Sequence, residues 1–369
     1  MRRQRGLRLD PWCILPVAMK TNSSTTTIGI DLGDRKHTVC VLGADGKILE
    51  ESTVSNTREA MARLSKKHPG ALVVKEVGMQ SPWVSRFFDG LGHRVLVANP
   101  RKVRAIYQND RKSDRNDAEL LARLARADES LLCPIQHGTQ QAQQDLLQIK
   151  LRDNLVRQRV DVISAVRFTL KSLGIRLRSP NTACFARHAR KELAGEHAAT
   201  LSMVEPSLAV IDVMTAQIRV LDRAIEELAS SSYPETEFLT QIAGIGTITS
   251  LTFVLTVGDP DRFRRPRDIG AYLGLVPKRD QSGNTDKQMR ISKSGDAYLR
   301  RLLVSAAQYV LGPFGPDCAL KRHGLKLAER GGPRAKKKAV VAIARKLALL
   351  MLTLWRNEDI YQPLRRRAA

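Results

Sequence analysis

The apolar positions change their period along the chain. Thr27 to Gly33 (Thr-Ile-Gly-Ile-Asp-Leu-Gly) is a short apolar run that carries an acid near its end. Residues 36–42 alternate and are rich in Val and Thr, and Asp45-Gly46 turns the chain into Lys47–Val54. This pattern predicts a three-strand meander. A helical stretch from Thr57 to Lys67, an apolar strand over 71–76, a helix opened by Ser81-Pro82, a short strand over 94–98 and a helix from about Asp114 to Ala127 follow. A meander followed by αβαβ describes a mixed sheet flanked by helices, so the fold class here is α/β.

From about Gly138 the period becomes helical. Leu147, Leu151, Leu155, Val162, Val166 and Leu170 form one stripe, Gly174 to Pro180 breaks it, and Val204, Leu208, Ile211, Met214, Ile218, Leu221, Ile225 and Leu228 form a second. Two long antiparallel helices of this kind predict a coiled-coil arm, whose plainest use is dimerisation or spacing. Beyond Tyr233, Ile242-Ala-Gly244-Ile-Gly246 sits between two helical runs, and 258–290 is expected to be loop-rich. Helices are expected at about 295–311 and 334–356, the second entered through Lys336-Lys337-Lys338. The expected organisation is a disordered extension over 1–26, a sheet domain over 27–130, the arm over 138–232 and a mostly helical C-terminal domain over 233–369.

Composition narrows the partners. With 61 Lys+Arg against 37 Asp+Glu the chain carries a formal charge of +24, which points to a polyanion. At 43% hydrophobic residues it can bury real cores, so global disorder is excluded. Eight Phe, six Tyr and three Trp are few for base stacking, so contact with phosphates through Arg and Lys fits better. The five cysteines (13, 40, 133, 184 and 318) form no CxxC pair, which argues against a zinc ribbon or a disulfide framework and for a reducing cytosol. No run of 18 apolar residues exists, and no membrane partner is expected. Arg2, Arg3 and Arg5 ahead of Trp12-Cys13-Ile14-Leu15 mimic a signal peptide, but Pro11 and Pro16 interrupt the short apolar stretch; Met19 could serve as the start.

The carboxylates carry the candidate chemistry. Asp31 ends the first predicted strand and Glu76 the fourth, and open sheets place their sites where neighbouring strands end. Asp114 and Asp117 share one face at the start of a predicted helix. Four converging carboxylates repel one another unless cations neutralise them. Two Mg²⁺ or Mn²⁺ ions roughly 4 Å apart are the natural solution for phosphoryl transfer. Helix or strand-end capping is the plain alternative for each acid taken singly. The joint pattern resembles the RuvC-like branch of the ribonuclease-H fold with a DEDD metal site, Lys-Ser-Asp114-Arg-Asn-Asp117-Ala being its most specific element. Ile28-Gly-Ile-Asp31-Leu-Gly33 also looks like the first phosphate motif of actin-like ATPases, but the second phosphate loop such proteins need is missing.

Gly244-Ile245-Gly246 resembles a helix-hairpin-helix, in which glycines bring backbone N–H groups close to phosphates; a tight turn that only packs is the alternative. Further on, Gly274-Leu-Val-Pro277-Lys-Arg-Asp-Gln-Ser282-Gly283 leads to Ile291-Ser292-Lys293-Ser294-Gly295-Asp296-Ala-Tyr298-Leu-Arg300. These blocks, with the acids and the arm, are similar to the one-ten insertion-sequence family of DEDD transposases, relatives of the Piv-type DNA invertases. The resemblance covers about residues 27 to 356.

It implies a RuvC-like domain, a coiled coil and a C-terminal transposase domain whose serine attacks DNA, directed by a structured bridge RNA. Asp31, Glu76, Asp114 and Asp117 match the DEDD acids and Ser282 the nucleophile, although the Ser-Ser-Gly-Gly frequent there is Gln281-Ser282-Gly283-Asn284 in this chain. Ser292 and Ser294 are the alternatives, Ser292 being expected to cap or orient the next helix. Arg104, Arg111, Lys112 and Arg115 flank the second acid pair, and Lys278, Arg279, Lys287, Arg290 and Lys293 flank the serine; both groups are expected along phosphates. The partners implied are element-end and target DNA, a guide RNA and further copies of the chain as a dimer or tetramer. The rival readings are a RuvC-like nuclease that uses water and a non-catalytic basic nucleic-acid-binding protein.

Overall fold

Five strands form the sheet of the N-terminal unit: β1 (Thr27–Asp31), β2 (Lys36–Leu42), β3 (Ile48–Ser55), β4 (Leu72–Glu76) and β5 (Arg94–Ala98). The computed structural model describes residues 26–101, 103, 113–178, 181–195, 197–282, 285–332 and 334–364, and the chain divides into two units, Met1–His137 and Gly138–Ala369. All of the expected 1–26 extension except Thr26 lies outside the described residues, as do Arg104, Arg111, Lys112 and the side chain of Ser282.

The sheet order is β3-β2-β1-β4-β5, with β1–β2 and β2–β3 antiparallel and β1–β4 and β4–β5 parallel. Among the described residues the helices of this unit are α1 (Arg58–Lys67), α2 (Ser81–Gly90) and α3 (Asp114–Ala127). The first four residues of β1 and of β4 are buried, as strands covered on both faces must be. Ile28, Ile30 and Val73 pack with Met61 and Leu64 of α1 and Val84 and Phe88 of α2. On the other face Leu72 and Val74 pack with Leu121 and Ala125 of α3. A mixed sheet flanked by helices is therefore observed, as the apolar pattern predicts.

Gly29 sets how closely α3 can lie. A Cβ built there would stand 2.0 Å from the Ala118 carbonyl oxygen and 3.0 Å from the Ala122 Cβ, so only glycine admits the helix at this depth. Ala118 and Ala122 then pack against Cys40 and Leu42. At the other end of the helix the Arg126 guanidinium donates to the Ala44 carbonyl at 2.7 Å, beyond the end of β2. These contacts direct the N-terminus of α3 toward the C-terminal end of β1.

In the second unit α4 (Gln140–Ser172) and α6 (Ala198–Ser232) are paired, with α5 (Phe185–Leu193) packed on α6. The buried positions of α4 are Asp145, Ile149, Arg159, Ile163, Val166 and Leu170, whereas Leu147 and Leu151 are 55% and 53% exposed. The first half of the expected stripe is thus displaced. Fours and threes run through 145, 149, 152, 156, 159, 163, 166 and 170, and three of these positions are Asp145, Arg152 and Arg159. In α6 the buried set includes Thr215, not Met214. Polar side chains meet across the pair: Arg152 Nε donates to Asp222 Oδ1 at 2.7 Å and Arg159 to Thr215 Oγ1 at 3.1 Å; Arg159 also donates at 3.0 Å to Thr182 Oγ1, in the segment between α4 and α5. Seven residues forward on one helix matches seven back on the other, as antiparallel heptads demand. By length and apolar composition alone, α6 could cross a bilayer; its seam is occupied by α4.

The rest of this unit comprises α7 (Thr236–Thr240), α8 (Thr247–Val257), α9 (Ile269–Tyr272), the hairpin β6 (Pro277–Ser282) and β7 (Thr285–Ile291), α10 (Ala297–Leu311), α11 (Ala319–Glu329) and α12 (Ala335–Asn357). Its core joins Leu239, Phe253, Leu299, Leu303, Ile343, Leu347 and Met351. The strands β6 and β7 correct the expectation of a loop over 258–290. Their residues are almost all polar and give no alternating signal.

Candidate active site

Asp31 is the last residue of β1 and Glu76 the last of β4, and the parallel register pairs Ile30 with Lys75 immediately before them. Side chains alternate along a strand. Gly29 faces α3, so Asp31 does too; Val74 packs with Leu121 of α3, so Glu76 does too. Both acids are half-buried.

Asp114 and Asp117 lie in the first turn of that same helix. Ser113 is its N-cap, its side chain accepting from the Asn116 amide at 3.2 Å, so neither aspartate serves as the cap. Asp114 is exposed and Asp117 half-buried. The four acids therefore share one face and one end of the sheet.

They do not form a closed ligand set. Among the described residues no three His, Cys, Asp or Glu side chains are grouped tightly enough to hold a metal ion. Asp31, Glu76, Asp114 and Asp117 are nonetheless alike in chemistry. Their donor atoms are all hard carboxylate oxygens, which suits Mg²⁺ or Mn²⁺ and not zinc.

The opposite face of the same strand end holds a polar chain that the sequence did not signal. Lys75 is fully buried, and its Nζ donates to the Ser81 carbonyl and Oγ, each at 2.7 Å. Ser81 Oγ is 2.8 Å from His137 Nε2. Burial pushes Lys75 down to about 7, and burial, then the Lys75 and Arg86 charges, pushes His137 down to about 4. This chain ties β4, α2 and the end of the unit together one residue before Glu76. Only the alternation Val74-Lys75-Glu76, which turns Lys75 inward, could have revealed it.

Of the expected phosphate contacts, Arg115 pairs with Glu51, so one carboxylate already holds it. In the second unit Arg279 Nε donates to Asp286 Oδ1 at 2.7 Å across the hairpin. Lys278, Lys287, Arg290 and Lys293 are exposed. Ser282 ends β6, its backbone paired with Thr285. Ser292 does not cap α10: Asp296 does, accepting from the Leu299 amide at 2.8 Å, while Ser292 Oγ lies 2.7 Å from Ser294 Oγ.

Gly244 (φ +87°) sits in the turn between α7 and α8; a Cβ there would lie 2.9 Å from Tyr309 Cδ1, so its smallness serves packing against α10. A Cβ on Gly246 would meet nothing within 4 Å.

Two family models match the chain. Residues 28–175 match one described as a transposase, of the DEDD type, and residues 236–319 match one described as "Transposase IS116/IS110/IS902 family". The transposase for insertion sequence element IS1111A of Coxiella burnetii is 28% identical over 91% of both chains. A probable family 20 transposase of Pseudomonas aeruginosa is 28% identical over 80% of this chain and 87% of its own. The pilin gene-inverting protein of Moraxella lacunata is 31% identical over 38% of this chain and 44% of its own.

Proposed function

Because the chain belongs to the IS110/IS116 family of transposases, we propose that it excises and inserts its own element by serine attack on DNA phosphates, assisted by the acids Asp31, Glu76, Asp114 and Asp117. The observation that carries this reading is the common face and end of those four carboxylates, supplied by two parallel strands and the helix that Gly29 admits. Bound Mg²⁺ or Mn²⁺ would polarise the scissile phosphate and favour the ionised hydroxyl.

The Ser282 hydroxyl attacks phosphorus in line, forming a phosphoserine bond to one DNA end and releasing a 3′-hydroxyl on the other. That hydroxyl then attacks a phosphoserine link on the partner strand and frees the serine, so bond energy is conserved without ATP. Lys278, Lys287, Arg290 and Lys293 hold phosphates beside the serine; Arg279, paired with Asp286, orients the hairpin that bears it. Arg104, Arg111 and Lys112 serve the acid end. Gly244 and Gly246 belong to a helix-hairpin-helix whose open side, at Gly246, approaches the backbone. Sequence choice comes from a guide RNA paired with DNA, and the α4–α6 pair acts as a coiled-coil arm that joins copies of the chain, so that acids and serine come from different subunits.

The test is incubation of the protein with element-end DNA, Mg²⁺ and flank-derived RNA, read on denaturing gels. A protease-sensitive adduct is expected with wild type and Ser292→Ala, and none with Ser282→Ala or Asp117→Ala. Cleavage that survives Ser282→Ala without an adduct would assign a water nucleophile.

A further inference from the structure

The α11–α12 hairpin carries positive charge that nothing above uses. Gly324 lets the two helices touch: a Cβ there would stand 2.8 Å from Ile343 Cγ1 of α12 and 2.4 Å from Leu311 Cδ2 of α10. One residue before this crossing is His323. Its pKa is lowered by burial first, then by the charges of Lys346 on α12, of Arg330 at the C-cap of α11 and of Lys326 on α11. Lys326 and Arg330 lie one helical turn apart, and Lys346 lies one turn beyond Ile343, the residue that meets Gly324.

All three cations are exposed. Their neighbours on α11 are already engaged: Lys321 Nζ donates to the Gly312 and Gly315 carbonyls at 3.0 and 2.6 Å, and Arg322 Nε donates to Asp317 Oδ1 at 3.0 Å. Among the described residues no carboxylate pairs with Lys326, Arg330 or Lys346. Between residues 319 and 346 the sequence holds one acid, Glu329, and no aromatic residue. Gathering like charges costs free energy that an external polyanion recovers. Without aromatic side chains the surface offers single strands no stacking platform, which leaves the regular phosphate rows of a duplex.

We propose that Lys326, Arg330 and Lys346, on the two helices that meet at Gly324 and Ile343, form a binding surface for the phosphate backbone of double-stranded DNA, built from residues other than the four acids and the serine hairpin. The inference rests on the reading that DNA is the substrate. It adds a contact that grips the duplex without reading bases, so affinity at this surface is independent of sequence.

The test is equilibrium binding of the full-length protein to duplex DNA of unrelated sequence across a salt series. The probes are duplex DNA, single-stranded DNA and duplex RNA of equal length. For the Lys326→Ala/Arg330→Ala/Lys346→Ala variant, duplex DNA affinity is expected to fall ~10-fold or more at 0.1 M salt, and the slope of log K against log salt by about 0.9 per cation removed. A control that removes equal charge from the arm helices and α5, Lys171→Ala/Lys191→Ala/Arg223→Ala, is expected to stay within about threefold of wild type.

Acetylation of the wild type reads the same surface without a variant that could misfold: duplex DNA is expected to protect Lys326 and Lys346. Equal losses in both triple variants, a loss confined to RNA, or unprotected lysines would overturn the surface. Failure of the wild type to bind any duplex DNA would overturn the DNA reading along with it. An unchanged adduct yield in Asp117→Ala would damage only the catalytic proposal, since binding needs no cleavage.

Discussion

Polar side chains enter the interior in both units, but in opposite ways. In the seam between α4 and α6 they complement each other: Arg152 finds Asp222, and Arg159 finds Thr215 and Thr182. At the end of β1 and β4 four side chains of one sign are brought to one face instead. Complementary groups fix a register at little net gain, whereas carboxylates gathered on one face without closing into a ligand set hold no register of their own. The first arrangement holds a shape; on the proposed reading the second would take up a cation.

Changing the like-charged end should have the largest effect. Asp31→Asn or Asp117→Asn is expected to lower adduct formation by ~10³-fold or more, about 4 kcal/mol of barrier. The thermal midpoint should hold or rise, because repulsion is relieved. A midpoint lowered in step with activity would return these acids to a structural role.

Next comes the support beneath that end. Gly29→Val places a Cβ 2.0 Å from the Ala118 carbonyl oxygen and should cost about 1–3 kcal/mol in denaturant unfolding by lifting α3, with loss of activity. The seam should respond in the reverse sense. Thr215→Val alone leaves the buried Arg159 guanidinium short of an acceptor and should cost about 1–3 kcal/mol, while adding Arg159→Leu should recover it. A double variant no more stable than the single would show that the guanidinium does more than set register.

The smallest effect belongs to a surface pair. The Lys67 ammonium, donating at 2.6 Å, holds Glu50 down at about 2 from an ordinary 4.5. Its stabilisation is present above about pH 4.5 and is lost as pH falls through about 2. Lys67→Ala should therefore cost about 0.2–1 kcal/mol at neutral pH and nothing in strong acid, measured by thermal unfolding against pH.

The sheet unit was largely legible because its strands are short apolar runs punctuated by Asp45-Gly46, Pro82 and terminal acids. Five strands and three helices appear where that punctuation places them. The paired helices α4 and α6 were legible as two helices but not in phase: their seam accepts Arg and Asp, and the apolar stripe at Leu147 and Leu151 faces solvent instead. The β6–β7 hairpin was missed because it is held by backbone pairing and an Arg279–Asp286 bridge, with no buried face to mark it. For the acids, the linear pattern placed Asp31 and Glu76 at strand ends and Asp114 and Asp117 at a helix start, but did not say which face of the sheet they occupy. That follows from Gly29 and Val74, whose packing on α3 no linear pattern records.

The central claim is that the four carboxylates act as one cation site. Titration of the full-length protein with Mn²⁺, followed by electron paramagnetic resonance, tests it most directly. Wild type and Ser282→Ala are expected to bind the ion equally, and Asp31→Asn and Asp117→Asn to lose it. Undiminished Mn²⁺ binding in both aspartate variants would contradict the account.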